Sequence, residues 1–241
     1  MFSIARTGKK VTYNKIYIGW DSTQESAYEV LKYSLLKKSS NIQVMPIKQH
    51  QLRTRNIYNR PIDPLSSTEF TFTRFLVPYL QNYKEWALFM DCDMLPLVDI
   101  NLLFNEVDEK YAVMCAQHDY IPNIKIKMGN KVQEYYPRKN WSSLILFNCN
   151  HPSNKKLNRD LVNNLNLSGK FFHRFGWLRD EEIGKINYEF NWLVNWYKEP
   201  EDGSPKILHF TEGGPWLKGF ENKEYSDVWL KEFNLYSKDK K

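Results

Sequence analysis

The sequence predicts an α/β fold: one mostly parallel central sheet flanked by helices. Three observations lead there. Short apolar runs rich in β-branched and aromatic residues recur along the chain. The first two are separated by a stretch with helical spacing, and several run directly into polar or acidic residues. Buried strands read as apolar runs, strand–helix–strand order builds parallel sheets, and ligands gather where such strands end.

Taken in order, Lys15-Ile16-Tyr17-Ile18-Gly19-Trp20-Asp21 reads as a buried strand opening into a loop. Ser22 or Thr23 can cap a helix with Ala27, Val30, Leu31, Ser34 and Leu35 on one face. Residues 42–47 form the next strand. The polar stretch 50–65, with Arg53, Arg55 and Arg60, is expected to be a mobile loop near a site. Ser66-Ser67-Thr68-Glu69 has capping-box spacing, so a helix is expected from there to Tyr79, carrying Phe70, Phe72, Phe75, Leu76 and Arg74.

Trp86 to Met90 is a compact strand running into Asp91-Cys92-Asp93. Tyr111 to Ala116 is another, ending at Gln117-His118-Asp119. A polar segment, 122–140, precedes the strand Leu144 to Phe147. A helix with Leu157, Leu161, Val162 and Leu165 on its apolar face is expected after Ser153. Lys206 to Phe210 is the last strand, followed by the turn Gly213-Gly214-Pro215-Trp216. With 241 residues, no repeats and no linker, the expectation is one domain over 1–241, with 1–13 and 237–241 as flexible ends.

Composition narrows the class. Hydrophobic residues at 42% and charged residues at 26% exclude a disordered chain. The net charge of +6 is spread without a nucleic-acid-binding motif, so no nucleic-acid partner is expected. Cys92, Cys115 and Cys149 each sit in a largely apolar run, a pattern of buried reduced thiols. Met1 to Tyr13 lacks the apolar stretch of a signal peptide, and no segment is apolar enough to span a bilayer. The expected location is cytoplasmic, with at most peripheral membrane contact.

The chemistry-bearing residues fall at strand ends. Asp91 and Asp93, one residue apart in an extended segment, point to the same side. Two such carboxylates repel unless a cation lies between them, and oxygen ligands favour Mg²⁺ or Mn²⁺. His209 ends a strand far away in sequence, just before a glycine turn whose backbone can approach phosphate. An imidazole beside two carboxylates suits Mn²⁺ better than Mg²⁺.

On these residues the chain resembles the GT-A (Rossmann-like) glycosyltransferases. Asp-Cys-Asp after Trp-Ala-Leu-Phe-Met is similar to their metal-binding Asp-x-Asp motif. His209-Phe210-Thr211-Glu212-Gly213-Gly214-Pro215-Trp216 resembles the C-terminal signature of glycosyltransferase family 8, the glycogenin and lipopolysaccharide galactosyltransferase group. The resemblance implies that Asp91, Asp93 and His209 hold the metal and that Arg74 neutralises phosphate or orients Asp91. It implies a donor site at Gly19, Trp20, Asp21, Arg74, Cys92, Gly213, Gly214, Trp216 and Lys218. Asp180-Glu181-Glu182 resembles the family's Asp-Gln-Asp segment beside the reacting sugar, with Glu181 as an anionic partner for the forming oxocarbenium ion. Trp141, Ser142 and Ser143 stand where the family contacts the donor sugar, and Asn187 to Asn191 where it has a short stretch before an Asn. His118 and Asp119 are expected on the acceptor side. Lys218 lies near the place of a family lysine that is Gly214 here.

The implied activity is metal-dependent transfer of a sugar from a nucleotide diphosphate sugar, UDP-sugar favoured, to a glycan, lipid-linked or protein acceptor with retention. Two alternatives stand beside it: a nucleotidyltransferase on a related sheet, and a non-catalytic nucleotide-sugar-binding module. The first would show a Gly-rich basic loop after the first strand, which Gly19-Trp20-Asp21-Ser22 is not.

Overall fold

The structure, a computed structural model, describes residues 13–63, 66–119, 126–127, 131–132 and 137–240, the two short pairs by backbone alone. Parts of the polar stretch 122–140 and nearly all of the expected N-terminal loose end therefore lie outside the described residues. In chain order the elements begin β1 (Asn14–Gly19), α1 (Glu25–Lys38), β2 (Ile42–Ile47), α2 (Gln49–Thr54), α3 (Val77–Leu80), β3 (Trp86–Met90), β4 (Met94–Pro96), α4 (Asn101–Phe104) and β5 (Val113–Ala116). They continue β6 (Ile126–Lys127), β7 (Lys131–Val132), β8 (Leu144–Asn148), α5 (Arg159–Asn163), α6 (Gly169–His173), β9 (Ile183–Ile186), β10 (Trp192–Leu193), β11 (Ile207–His209) and α7 (Ser226–Asp239).

Among the described residues the main sheet has six strands in the order β2-β1-β3-β8-β5-β9. β8 runs antiparallel to both of its neighbours, and the other pairings are parallel. The sheet is thus mostly parallel, and β3 and β5 present their carboxyl ends on the same side. Ile16, Ile18, Ala87, Leu88, Phe89, Leu144 to Phe147 and Cys115 are fully buried. That double-sided burial is why these strands read as continuous apolar runs.

A second, three-stranded sheet, β10-β11-β4, decides where the site forms. The chain leaves the main sheet at Met90 and enters the small sheet at Met94. β11 pairs antiparallel with β4, placing His209 opposite Met94. The small sheet has its own apolar core of Leu95, Trp192, Val194, Leu208 and Phe210, closed by Val30 of α1 and Trp229 of α7.

Helix α1 buries Ala27, Val30, Leu31, Ser34 and Leu35, as its spacing predicts. Ser34 is tolerated on this face because its hydroxyl donates to the Pro96 carbonyl at 3.2 Å. The cap is neither Ser22 nor Thr23. Asp21 takes that role for the 3-10 turn Ser22–Gln24 that leads into α1, accepting from the Thr23 N–H at 2.9 Å.

Four further expectations are corrected. No capping box starts a helix at Ser66: residues 67–68 bend, 69–72 form a turn, a 3-10 helix covers Thr73–Leu76 and α3 is a single short turn. The Glu69 N–H goes to the Asp21 carboxylate at 3.0 Å and the Thr71 hydroxyl to the Thr68 carbonyl at 2.8 Å, so side chains take over the bonds a helix needs. The stretch 50–63 is not a loose loop. Its first part is α2, and Arg60 is buried with its guanidinium on the carbonyls of Val162, Asn164 and Leu167 and 4.0 Å above the Phe72 ring.

After Ser153 the chain makes a 3-10 turn over Pro152–Lys156 and then the short α5, capped by Asn158, which leaves Leu165 exposed. Residues 237–239 belong to α7 rather than to a loose end. The Tyr33 hydroxyl donates to Asp239, and Lys38 pairs with Glu232 at 2.7 Å. No helix among the described residues is long and apolar enough to cross a membrane.

Candidate functional site

Cys92 and Asp93 lie in the turn between β3 and β4, so the two aspartates meet across a turn, not by strand alternation. One ligand atom each from Asp91, Asp93 and His209 falls within 4.8 Å of the others. Asp93 Oδ1 is 3.5 Å from His209 Nε2, and the two side chains are 12% and 2% exposed. The junction of the sheets produces this meeting. The Asp91 N–H continues the main ladder to the Ser143 carbonyl at 2.9 Å, while the Asp93 carbonyl accepts from the Phe210 N–H at 3.0 Å in the small one.

Each member of the trio is held from behind. Arg74 is buried, and its Nη1 donates to Asp91 Oδ1 and to the Ser142 carbonyl, both at 2.7 Å. Its guanidinium lies 5.1 and 5.0 Å from the Phe70 and Phe89 ring centres. Of the two roles expected for Arg74, orienting Asp91 is the one this geometry displays. Phe70 in turn packs where a Cβ on Gly19 would come within 2.4 Å of its ring, so the strand end must be glycine.

His209 is set by Asn191, whose Oδ1 lies 2.9 Å from Nδ1. The Asn191 amide nitrogen faces the Asn140 carbonyl at 3.4 Å and the Ser143 hydroxyl at 3.0 Å, and that hydroxyl itself donates to the Asn140 carbonyl. Only the amide oxygen can therefore face His209. Nδ1 carries a hydrogen and donates it to Asn191, which leaves Nε2 as the ring nitrogen facing Asp93. Asn140 supports this from a left-handed conformation, φ 64°, which asparagine tolerates better than most residues.

This donor set suits a divalent ion. Two carboxylates and an imidazole nitrogen combine hard oxygen with borderline nitrogen, a donor set that a divalent cation accepts. Orienters behind each ligand are a usual part of such centres. The Cys92 thiol is fully buried, and burial, Asp93, Asp91 and Asp21 push it well above its ordinary range.

The remaining expected residues distribute unevenly. The Asp21 carboxylate is occupied by Thr23 and the Glu69 N–H, beside a cavity of about 240 Å³ lined by Thr23, Gln49, Tyr58, Thr68 and Thr71. Trp20 is half-buried under Lys48, whose Nζ is 4.5 Å from the ring centre. Gly213 has φ +119°, and a Cβ on Gly214 would meet the Trp216 ring at 2.1 Å. Trp216 packs between Phe210 and Trp229, and Lys218 is exposed just beyond.

Ser142 and Ser143 are buried and bonded inside the protein, Ser142 to His173 Nδ1 at 2.7 Å. Trp141 gives its indole N–H to the His118 carbonyl at 3.0 Å. His118 is buried two residues beyond β5, and Asp119 is exposed. Asp180 and Glu181 precede the amino end of β9, so they do not join the trio, which follows the carboxyl end of β3. Asp180 is 84% exposed on Arg138, and Glu181 is 67% exposed on Arg179. The sequence reading missed Asn140, and it placed Asn191 by position without a role. Their only local signal was asparagine beside strand ends.

No family model matches the chain. Among solved structures, the glycosyltransferase GlyE of Streptococcus pneumoniae TIGR4 superposes with TM-score 0.62 at 16% identity, over 95% of this chain and 63% of its own. The galactosyltransferase LgtC, solved with donor and acceptor sugar analogs, superposes with TM-score 0.57 at 12% identity, over 92% and 95% of the two chains. The chain thus spans less than two thirds of GlyE but nearly all of LgtC. The fold is the GT-A fold of the glycosyltransferases, resembling family 8. In sequence, the chain is 46% identical over 231 residues to Protein CDI of Arabidopsis thaliana, covering 94% of this chain and 88% of that protein. The chain belongs to the family of Protein CDI, a family built on the GT-A fold.

Proposed function

We propose that this protein is a metal-dependent glycosyltransferase that moves a sugar, with retention, from a nucleotide diphosphate sugar to a glycan, lipid-linked or protein acceptor, with UDP-sugar the favoured donor. The convergence of Asp91, Asp93 and His209, from two sheets and more than a hundred residues apart, carries this reading. Three metal-binding side chains have no packing reason to meet at a strand end.

Asp91, Asp93 and His209 would hold the ion, with Mn²⁺ the favoured identity. When bound, a divalent cation supplies Lewis-acid stabilisation of the charge that grows on a departing diphosphate. The chain's own part is preorganisation. Arg74 holds the Asp91 carboxylate in place, and Asn191, by accepting the Nδ1 hydrogen, leaves Nε2 as the His209 nitrogen that would hold the ion. Gly213 and Gly214, without side chains, let the backbone of this turn approach phosphate beside the trio, although the Gly213 N–H itself goes to the Phe210 carbonyl at 2.8 Å. In a retaining reaction the acceptor hydroxyl attacks on the face the diphosphate leaves, whose oxygen takes its proton. Asp180 and Glu181 are assigned no part, because they sit at the opposite strand end from the trio.

Mn²⁺ with UDP or GDP should raise the melting temperature, since a ligand that prefers the native state stabilises it. Slow release of free sugar from the matching nucleotide sugar should follow. Asp93→Asn should lose both while melting normally without metal. A variant that keeps the metal-dependent shift and turnover would overturn the reading. Binding without sugar release would point to the non-catalytic module.

A further inference from the structure

His118 is tied to both halves of the site. Its backbone carbonyl takes the indole N–H of Trp141 at 3.0 Å. Trp141 begins the 3-10 turn Trp141–Ser143, whose carbonyls at Ser142 and Ser143 hold Arg74 and the Asp91 N–H. Its ring Nδ1 lies 2.7 Å from the Tyr197 hydroxyl. The Tyr197 N–H goes to the Leu193 carbonyl, and Leu193 pairs with His209 across β10 and β11. His118 therefore bridges the turn behind Asp91, through its carbonyl, and the strand beside His209, through its ring.

Within that frame one atom is left over. His118 is 4% exposed, and its Nε2 is buried with no hydrogen-bond partner. Buried polar atoms are nearly always satisfied, and an unsatisfied one marks either strain or a place where something else binds. The surroundings point to the second. Half-buried Tyr197 stacks on half-buried Tyr188 at 4.7 Å and 24°, with Trp192 5.2 Å from Tyr197. Flat aromatic faces beside a hydrogen-bonding nitrogen match a pyranose, which offers C–H faces and hydroxyls together.

We infer that His118 is a sugar-binding residue, its Nε2 meeting a hydroxyl of a sugar in the transfer site. The inference rests on the glycosyltransferase reading above. Burial lowers the imidazole to about 3, so the ring is neutral at physiological pH and each nitrogen is either donor or acceptor. A hydroxyl satisfies both cases, whereas a phosphate oxygen or a cation satisfies only one. The sugar is either the one transferred or the one that accepts it.

Thermal shifts on the full chain with Mn²⁺ separate these sources. One arm uses UDP or GDP, a second UDP-glucose, UDP-galactose and GDP-mannose, and a third UDP with lactose or maltose. No shift of the wild type by any nucleotide diphosphate overturns the glycosyltransferase reading, and the inference with it. Given that shift, His118→Phe should keep it but lose the added shift of the second arm for the transferred sugar, or of the third for the acceptor. KM for the affected sugar should rise about tenfold, the value of one neutral hydrogen bond. His118→Gln should recover part of the loss. Sugar arms equal to wild type in His118→Phe overturn the assignment, and so does loss of the bare nucleotide shift, which marks a purely structural ring.

Discussion

Two short acidic segments, Asp91-Cys92-Asp93 and Asp180-Glu181-Glu182, look alike in the sequence and end up with opposite uses. The first follows the carboxyl end of β3, where the chain changes sheets, and an imidazole from β11 and a buried guanidinium close around it. The second precedes the amino end of β9. There Asp180 and Glu181 face solvent on Arg138 and Arg179, and only Glu182 is buried. Glu182 works inside the fold, accepting from the Ser153 hydroxyl at 2.5 Å and the Arg179 N–H at 2.8 Å. Strand polarity separates the two. Ligands in α/β sheets gather outside the carboxyl ends of the strands, and here that is where β4 and β11 bring the second sheet against the first.

The widest gap between the segments should appear in activity. Asp93→Asn is expected to reduce sugar release at least about 100-fold, because a donor to the charge-stabilising centre is lost. Asn191→Ala should come next. It leaves Asp91, Asp93 and His209 in place but frees the His209 tautomer, and Mn²⁺ affinity by titration should fall about 10- to 100-fold. An unchanged affinity would detach Asn191 from the centre.

The second segment should respond in stability and pH instead. Burial works to raise the Glu182 carboxyl, but the Ser153 hydroxyl, the Arg179 N–H and the Arg179 guanidinium outweigh it and hold it below its ordinary 4.5. A carboxyl depressed in the folded state contributes stability that is fully present above its unfolded value and fades as pH falls through the folded one. The melting-temperature advantage of wild type over Glu182→Gln should therefore be constant above about pH 4.5 and shrink below it. An advantage that grows in acid would show the sign to be wrong. The smallest effect is expected for Asp180→Asn and Glu181→Gln, with turnover within about twofold of wild type, as befits exposed ion pairs. A large loss at Glu181 would return that residue to the reacting sugar.

Several elements were legible because their cause is local. β1, β3 and β8 carry runs buried on both faces, and α1 carries one apolar stripe, so period and burial agree. The helix expected from Ser66 failed for an equally physical reason: Asp21, far upstream, captures the Glu69 N–H that a capping box would have used. α7 was passed over although Trp229, Phe233 and Tyr236 recur at helical spacing. Those rings pack against Trp216 and Tyr33, partners that only the fold supplies.

By itself the sequence determined the strand that delivers Asp91 and Asp93, the strand that ends at His209, and the glycine turn after it. Each follows from a run of side chains read against its neighbours. Tertiary structure alone decided that the two aspartates face each other across a turn between sheets and that Asn140 and Asn191 set the tautomer of His209. It also decided which acidic segment belongs to the site. Those outcomes depend on strand direction and on pairings between remote residues, such as β4 with β11, and a one-dimensional pattern carries neither.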